Sequence, residues 1–347
     1  MDDIKKEILS RKKAMALKSN IILSVLFLLL IITFFVSMNS GYIKLSPADT
    51  LRTLLGGGSD KENLILFYFR LPRIVIAVLI GAGLSTSGCI IQTVTKNPLS
   101  DPGLLGINSG AGLMVILYII TADTKSFFSV FTMPFLALTG AGITAVIVYN
   151  LSKKKDEGIL PVRMVLTGVA VQAGISAATT LIVVKLDETQ YDFVAKWQAG
   201  SIWGSNWKFV LALLPWIIIL LPYIFSKSKI LDVINLGEDV AVGLGVNIEN
   251  ERKKILAVSV ALAAASVAVS GSISFVGLIG PHLARRLVGP KHSLLIPAAA
   301  LSGALLVSLA DVFSRVILQP SEIPTGIMVS VIGAPYFLYL LANLKGR

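Results

Sequence analysis

An all-α, polytopic membrane protein is the fold class that three features of this sequence predict. Of its 347 residues, 54% are apolar and only 15% charged, whereas a soluble domain usually carries about 25% charged residues. Runs of roughly 20 apolar residues recur along the chain, each long enough to cross a hydrocarbon core about 30 Å thick. These runs are continuous. A membrane β-barrel would show segments of about 10 residues alternating apolar and polar instead. The mean hydropathy of +0.80 agrees with immersion in lipid.

The apolar runs fall at 20–38, 71–95, 104–121, 127–150, 163–185, 207–225, 254–270, 274–287, 293–310 and 324–343. They predict about ten transmembrane helices, an even number that puts both termini on one side. The first run is long, lacks a small-residue cleavage pattern and is followed by further spans, so it reads as a retained helix rather than a signal peptide. The eighth is short and interrupted by Gly280-Pro281. Residues 1–19 form an N-terminal cytoplasmic segment, and 20–347 one transmembrane domain with a cytoplasmic loop at about 227–253. Small residues at helix-packing spacing, Ala77 with Gly81 and Gly106 with Gly110, permit close backbone approach.

Charge placement tests this topology. With the N-terminus inside, the inner segments hold 21 of the 31 basic residues but only 11 of the 20 acids. That asymmetry is the positive-inside pattern. The net charge of +11 is therefore mostly topology, and no nucleic-acid partner is needed to explain it.

Within the runs the polar residues are few, among them Gln92 and Gln172. An ion-coupled secondary transporter usually keeps carboxylates or histidines at mid-membrane, and the runs show none there. No GxxxxGK[ST], HExxH or GxSxG pattern occurs, so an intramembrane enzyme lacks its nucleophile or metal constellation and no catalytic residue is assigned. His282 and His292 lie ten apart with Pro290 between them, too sparse for a metal site. The single Cys89 sits in an apolar run as a small core residue.

Four polar islands lie beside the runs. RLPRIVIAVLIGAGLSTSG leads into NPLSDPGLLG, whose two prolines and two glycines make an irregular turn in which Asn97, Asp101 and Asn108 act as caps. NLGEDVAVGLGVN follows between two long runs, too short and too acidic to cross a membrane alone. FVGLIGPHLARRLVG and ADVFSR, EIPTG, GAPYF complete the set. Together, in this order from Arg70 to Phe337, these pieces resemble the FecCD-type permeases of ABC importers, which carry ferric siderophores, haem or cobalamin.

The resemblance implies a subunit of about ten helices that pairs with a second permease copy or a homologous permease. Two cytoplasmic ATPase subunits would bind below, and an extracytoplasmic substrate-binding protein would dock above. No cofactor is implied on this chain, since ATP and magnesium belong to the partner ATPase. The piece Leu236, Gly237, Glu238, Asp239, Val240, Leu244 and Gly245 matches the family's short cytoplasmic helix pair that sits in a groove of the ATPase. Its acids suit the positive N-terminal end of a short helix, and Val240, Val242, Leu244 and Val246 offer apolar contact.

On the outer side, Arg315 matches a family arginine that pairs with an acid of the binding protein. The matching position in the first outer loop is Lys61, which keeps the charge but loses the bidentate fork; Arg52, further upstream, is the alternative. His282, Arg285 and Arg286 fall near the inner mouth and the ATPase, where a plain positive-inside anchor explains the arginines equally well. Gly81, Gly88, Gln92, Glu322 and Gly326 match segments near the central path. The expected function is a multi-pass permease of a bacterial cytoplasmic membrane that passes a ferric siderophore inward by alternating access, with haem or cobalamin as alternative cargo.

Overall fold

The computed structural model describes residues 2–41, 43, 45–103, 105–121, 127–154, 158–159, 161–202 and 204–344, without the side chains of 2–14, 127–130, 153–154, 158–159, 161, 238, 341 and 343–344. In chain order the helices are α1 (Asp2–Asn39), α2 (Pro47–Leu54), α3 (Asp60–Asn63), α4 (Leu71–Val94), α5 (Ile107–Thr121), α6 (Phe127–Ser152), α7 (Pro161–Val183) and α8 (Glu188–Gln198). Then come α9 (Trp207–Ser226), α10 (Ser228–Leu236), α11 (Glu238–Gly243), α12 (Ile248–Ser270), α13 (Val276–Val288), α14 (His292–Val316) and α15 (Thr325–Leu344). A π-helical turn, Leu64–Arg70, leads into α4, and the one strand pair among the described residues joins Lys153–Lys154 to Gly158–Ile159.

Ten of these helices coincide with the ten expected runs: α1, α4, α5, α6, α7, α9, α12, α13, α14 and α15. Among the described residues, seven helical segments are long and apolar enough to cross a membrane; α5 and the Thr325–Leu340 part of α15 are shorter apolar helices, and α13 has 13 residues. The segment 2–19 is continuous with α1 rather than separate from it.

α4 sits at the centre, nearly every residue beyond its first turn buried, with α12, α13 and α14 packed around it. Its small residues set those approaches. A Cβ on Gly81 would lie 2.3 Å from the Gly303 carbonyl of α14, and one on Gly88 1.8 Å from the Gly277 carbonyl of α13. Hydroxyls seal crossings with α14 and α12: Ser85 donates to the Ala299 carbonyl at 2.6 Å, and Ser87 to the Ser259 carbonyl at 2.8 Å. By contrast α7 has almost no fully buried residue along its apolar length.

The expected interruption at Gly280-Pro281 is not a break. α13 runs straight through Pro281, and the chain bends earlier, between α12 and α13, where Gly271 has φ +69° and Phe275 +68°. Pro281 lacks an N–H and so frees the Gly277 carbonyl four residues back. The side chain of Gln92 takes up that acceptor, its Nε2 lying 3.3 Å from the Gly277 oxygen and 3.4 Å from that of Leu278. A neighbouring helix thus restores the missing bond, as a proline inside a membrane bundle requires.

Candidate functional site

At one end of the bundle the chain leaves α9, makes two short helices and enters α12. Gly237, at φ +125°, breaks α10 from α11 in a conformation that side chains resist. α11 closes on Gly245, at φ +76°, with Gly245 N–H donating to Val242 and Val246 N–H to Ala241, a Schellman pattern. These two glycines fix how α11 is presented. Ala241 turns fully inward while Val240, Val242 and Leu244 are 47%, 65% and 62% exposed, and Leu236 beside them 66%. Asp239 is exposed in the first turn, and Glu238 is described in its backbone alone. An exposed apolar ridge of this kind marks a contact surface.

α10 is clamped to the bundle by Asp232. Its Oδ1 accepts from the His292 backbone N–H at 2.8 Å, at the start of α14, and lies 2.6 Å from His292 Nδ1. His292 is fully buried, and its Nε2 meets Thr93 Oγ1 of α4 at 2.8 Å. A chain of three side chains therefore runs from the short helix pair through α14 into the central α4. The sequence shows His292 only as an isolated histidine; its partner lies 60 residues away. Near the same end His282 Nδ1 lies 2.8 Å from the Tyr336 hydroxyl, and the Arg286 guanidinium lies over the Tyr339 ring at 5.8 Å. Arg285 is half-buried, and its Nε has no hydrogen-bond partner among the described residues.

The other end of α14 lies 25 residues on, roughly 37 Å away at 1.5 Å per residue. There a buried ion network replaces the charge-free interior that the apolar runs suggest. Arg73 Nε donates to Asp311 Oδ1 at 2.8 Å, and its Nη1 to Glu322 Oε2 at 2.7 Å. Arg315 Nη2 lies 3.1 Å from Asp311 Oδ2, with Arg315 Nη1 donating to the Ser40 carbonyl at 3.1 Å. Two cations and two anions thus neutralise one another, as buried charges must.

Arg315 was expected on the outer surface for docking. It lies instead 5% exposed inside this network, because α14 continues through Val316, six residues past the expected end of the run, and stacks Arg315 one turn beyond Asp311. Arg52 and Lys61 are exposed, on α2 and α3. Arg52 Nη2 pairs with Glu62 at 2.9 Å and Asp49 at 3.6 Å, and Glu62 also completes a capping box with Ser59.

The residues matched to the central path separate into two groups. Gly81, Gly88 and Gln92 occupy closed crossings of α4 with α13 and α14 and face no open channel within the subunit. Gly326 is equally enclosed, its N–H donating to the Gly200 carbonyl at 2.7 Å. Glu322 alone of the ion network reaches the wall of a cavity of about 780 Å³, shared with Phe193, Trp197, Phe209 and Ile323. In the turn after α4, Asn97 and Asp101 act as caps, accepting from Leu99 and Gly103 N–H. The Asn108 side-chain oxygen is buried with no partner among the described residues. No cluster of three or more metal-ligating side chains occurs among the described residues.

Known proteins share this architecture. The model of the FecCD transport family matches residues 29–343. The chain is 46% identical over 328 residues to the iron(3+)-hydroxamate import system permease protein FhuG of Bacillus subtilis, covering 93% of this chain and 97% of that one. It is 41% identical to the Fe(3+)-citrate import system permease protein YfmE of the same organism, covering 96% and 97%. A solved structure of a metal-chelate type ABC transporter in an inward-facing conformation superimposes with a TM-score of 0.80 at 33% identity, covering 93% of this chain and 99% of that one. With ten helices matching the expected runs and a family model spanning nearly the whole chain, this protein belongs to the FecCD transport family.

Proposed function

We propose that this chain is the membrane permease subunit of an ATP-binding-cassette importer that moves a ferric siderophore into a bacterial cytoplasm by alternating access. The observation that carries the coupling half of this reading is the exposed ridge of Leu236, Val240, Val242 and Leu244, clamped through Asp232 and His292 to α14. Apolar side chains so presented outside the spans need a partner, and a separate ATPase supplies one. Hydrolysis then belongs to that partner, in keeping with the absence of a phosphate-binding motif here. The relatives' iron-chelate cargo supports the substrate class.

In this reading all ten apolar helices cross the membrane and both termini are cytoplasmic, which the distribution of basic residues supports. Two ATPase subunits engage the α10–α11 ends of a permease pair. A substrate-binding protein docks at the α2–α3 end, where Arg52 and Lys61 are exposed. ATP binding draws the ATPases together, α10–α11 carries that movement, and the Asp232–His292–Thr93 chain passes it to α14 and α4.

Replacing Val242 and Leu244 by aspartate tests the reading, because both side chains are exposed and their loss leaves the bundle intact. The expected result is a correctly inserted permease that no longer co-purifies with its ATPase and no longer supports uptake of iron-55 hydroxamate. Retention of both would overturn the coupling assignment. Loss of uptake with the ATPase still bound would place the ridge after docking rather than in it.

A further inference from the structure

The side of the bundle carries a second feature, unrelated to the ridge or the ion network. Between α6 and α12 lies an open groove of about 460 Å³, within the size range of about 300–1,000 Å³ typical of ligand sites. Its floor is carbon: Ile91, Ile107 and Val148 are all but fully buried. Its walls carry Val146 and Ala257, both exposed on the outside of the bundle. Gly142 notches the α6 wall, where a Cβ would meet nothing within 4 Å.

One end of this groove is polar. Tyr149, Asn150 and Lys253 form its rim, at the end of the molecule where α12 follows α11. Lys253 Nζ is held by Glu249 at 2.9 Å, but both side chains are at least half exposed, so that pair is readily exchanged for another anion. Glu251, on the same first turns of α12, is engaged by Lys227 at 2.9 Å and Lys254 at 3.2 Å. Arg163 stands exposed beside Met164, which lines the same groove.

We propose that this groove binds an anionic phospholipid, one acyl chain lying along Ile91, Ile107 and Val148 and the phosphate resting between Lys253, Tyr149 and Asn150. A carbon-lined groove on the flank of a membrane bundle faces hydrocarbon, not water, so a chain entering it meets no desolvation cost and gains dispersion contacts that offset its loss of conformational freedom. The rim then selects: a lysine with a phenol and an amide recognises a negatively charged headgroup and gains least from a zwitterionic one. The site rests on the membrane location of the chain alone and is independent of the importer reading.

Full-length protein stripped of native lipid in detergent and titrated with dioleoyl-phosphatidylglycerol or dioleoyl-phosphatidylcholine tests this by native mass spectrometry. One tightly retained phosphatidylglycerol per chain is expected, preferred over phosphatidylcholine by about fivefold, the scale of one lysine near a charged surface. Gly142→Phe fills the notch and should abolish the retained adduct. Lys253→Ala should keep acyl binding while erasing the preference. Equal retention of the two lipids by the unaltered protein, or an undiminished adduct in Gly142→Phe, would overturn the proposal, as would displacement of lipid by a second copy of the chain. Should Gly142→Phe fail to fold, Ala257→Trp reads the site directly. Its fluorescence should be quenched by phosphatidylglycerol with brominated acyl chains more than by the brominated phosphatidylcholine, and equal quenching would count against the site.

Discussion

Arg73 Nε lies 2.8 Å from Asp311 Oδ1, a contact between residues 238 apart in the chain that ties the start of α4 to the end of α14. Asp311 is 1% exposed and also faces Arg315, so one carboxylate balances two guanidinium groups with help from Glu322. Removing it leaves two buried cations with a single half-open partner. Asp311→Ala is expected to destabilise the protein by about 3–5 kcal/mol. The Arg73→Met, Asp311→Leu double replacement should recover only part of that loss, since it removes one stranded cation but still leaves Arg315 buried without its carboxylate. Thermal unfolding of the purified variants measures both. A double variant less stable than Asp311→Ala would show that the network's specific geometry, not its charge balance, holds this end together.

The glycines of α4 support a second expectation. Gly88→Val forces a Cβ to within 1.8 Å of the Gly277 carbonyl, a backbone atom that cannot swing aside. α4 and α13 must separate, and little folded protein should survive extraction. Gly142→Ala on α6 meets open space and gains helix propensity, so it should be neutral or stabilising by up to about 1 kcal/mol. Fluorescence-detected size exclusion after heating separates the outcomes. If Gly88→Val folded normally but failed only in uptake, Gly88 would be a path residue after all.

Ten helices are legible in the sequence because each continuous apolar run, with no alternation to suggest a strand, forms one helix, although only seven helical segments among the described residues have the length that bilayer thickness demands. The α10–α11 break is legible for a local reason, glycine at Gly237 and Gly245 on either side of a short apolar piece. Arg73–Asp311 and Asp232–His292 are not, because nothing in a linear pattern pairs residues 238 or 60 positions apart. The burial of Arg315 is not legible either: the resemblance matches it to a docking arginine, and only its contact with Asp311 makes both charges tolerable inside α14. The Gly280-Pro281 pair suggests a break for an equally local reason, and Gln92 on another helix removes it.

The Asp232–His292 contact predicts an uncoupling variant. Asp232→Asn keeps an acceptor for the His292 N–H but weakens the 2.6 Å contact to Nδ1, and Asp232→Ala removes both. α10 then loses its hold on α14, while α11 and its exposed ridge stay intact. The ATPase should still bind, yet substrate transported per ATP hydrolysed should fall severalfold, more for alanine than for asparagine. Vesicle uptake measured beside phosphate release gives that ratio. An unchanged ratio in Asp232→Ala would mean that movement reaches the bundle by another route, and α12, which follows α11 directly, is the first place to look.

Asp101 supplies a pH dependence with a definite sign. It lies in the turn between α4 and α5, outside the spans, where burial pushes its carboxyl up to about 6 from an ordinary 3.8, opposed only by the Gly103 N–H it accepts at 2.7 Å. A raised carboxyl means that the folded state binds the proton more tightly than the unfolded chain does. Its stabilising contribution is therefore complete below about pH 4 and is lost as the pH rises toward 6, staying absent above that. Asp101→Asn keeps the oxygen for Gly103 and carries no charge to desolvate. It should match the native protein near pH 4 and exceed it at pH 7.5 by on the order of 1–2 kcal/mol, the shift discounted for partial solvent access. Thermal midpoints of the two proteins in the same detergent at both pH values decide the matter, because every other titrating group cancels in the difference. A gap of equal size at both pH values would show that asparagine acts through packing against Gly277 and not through the charge.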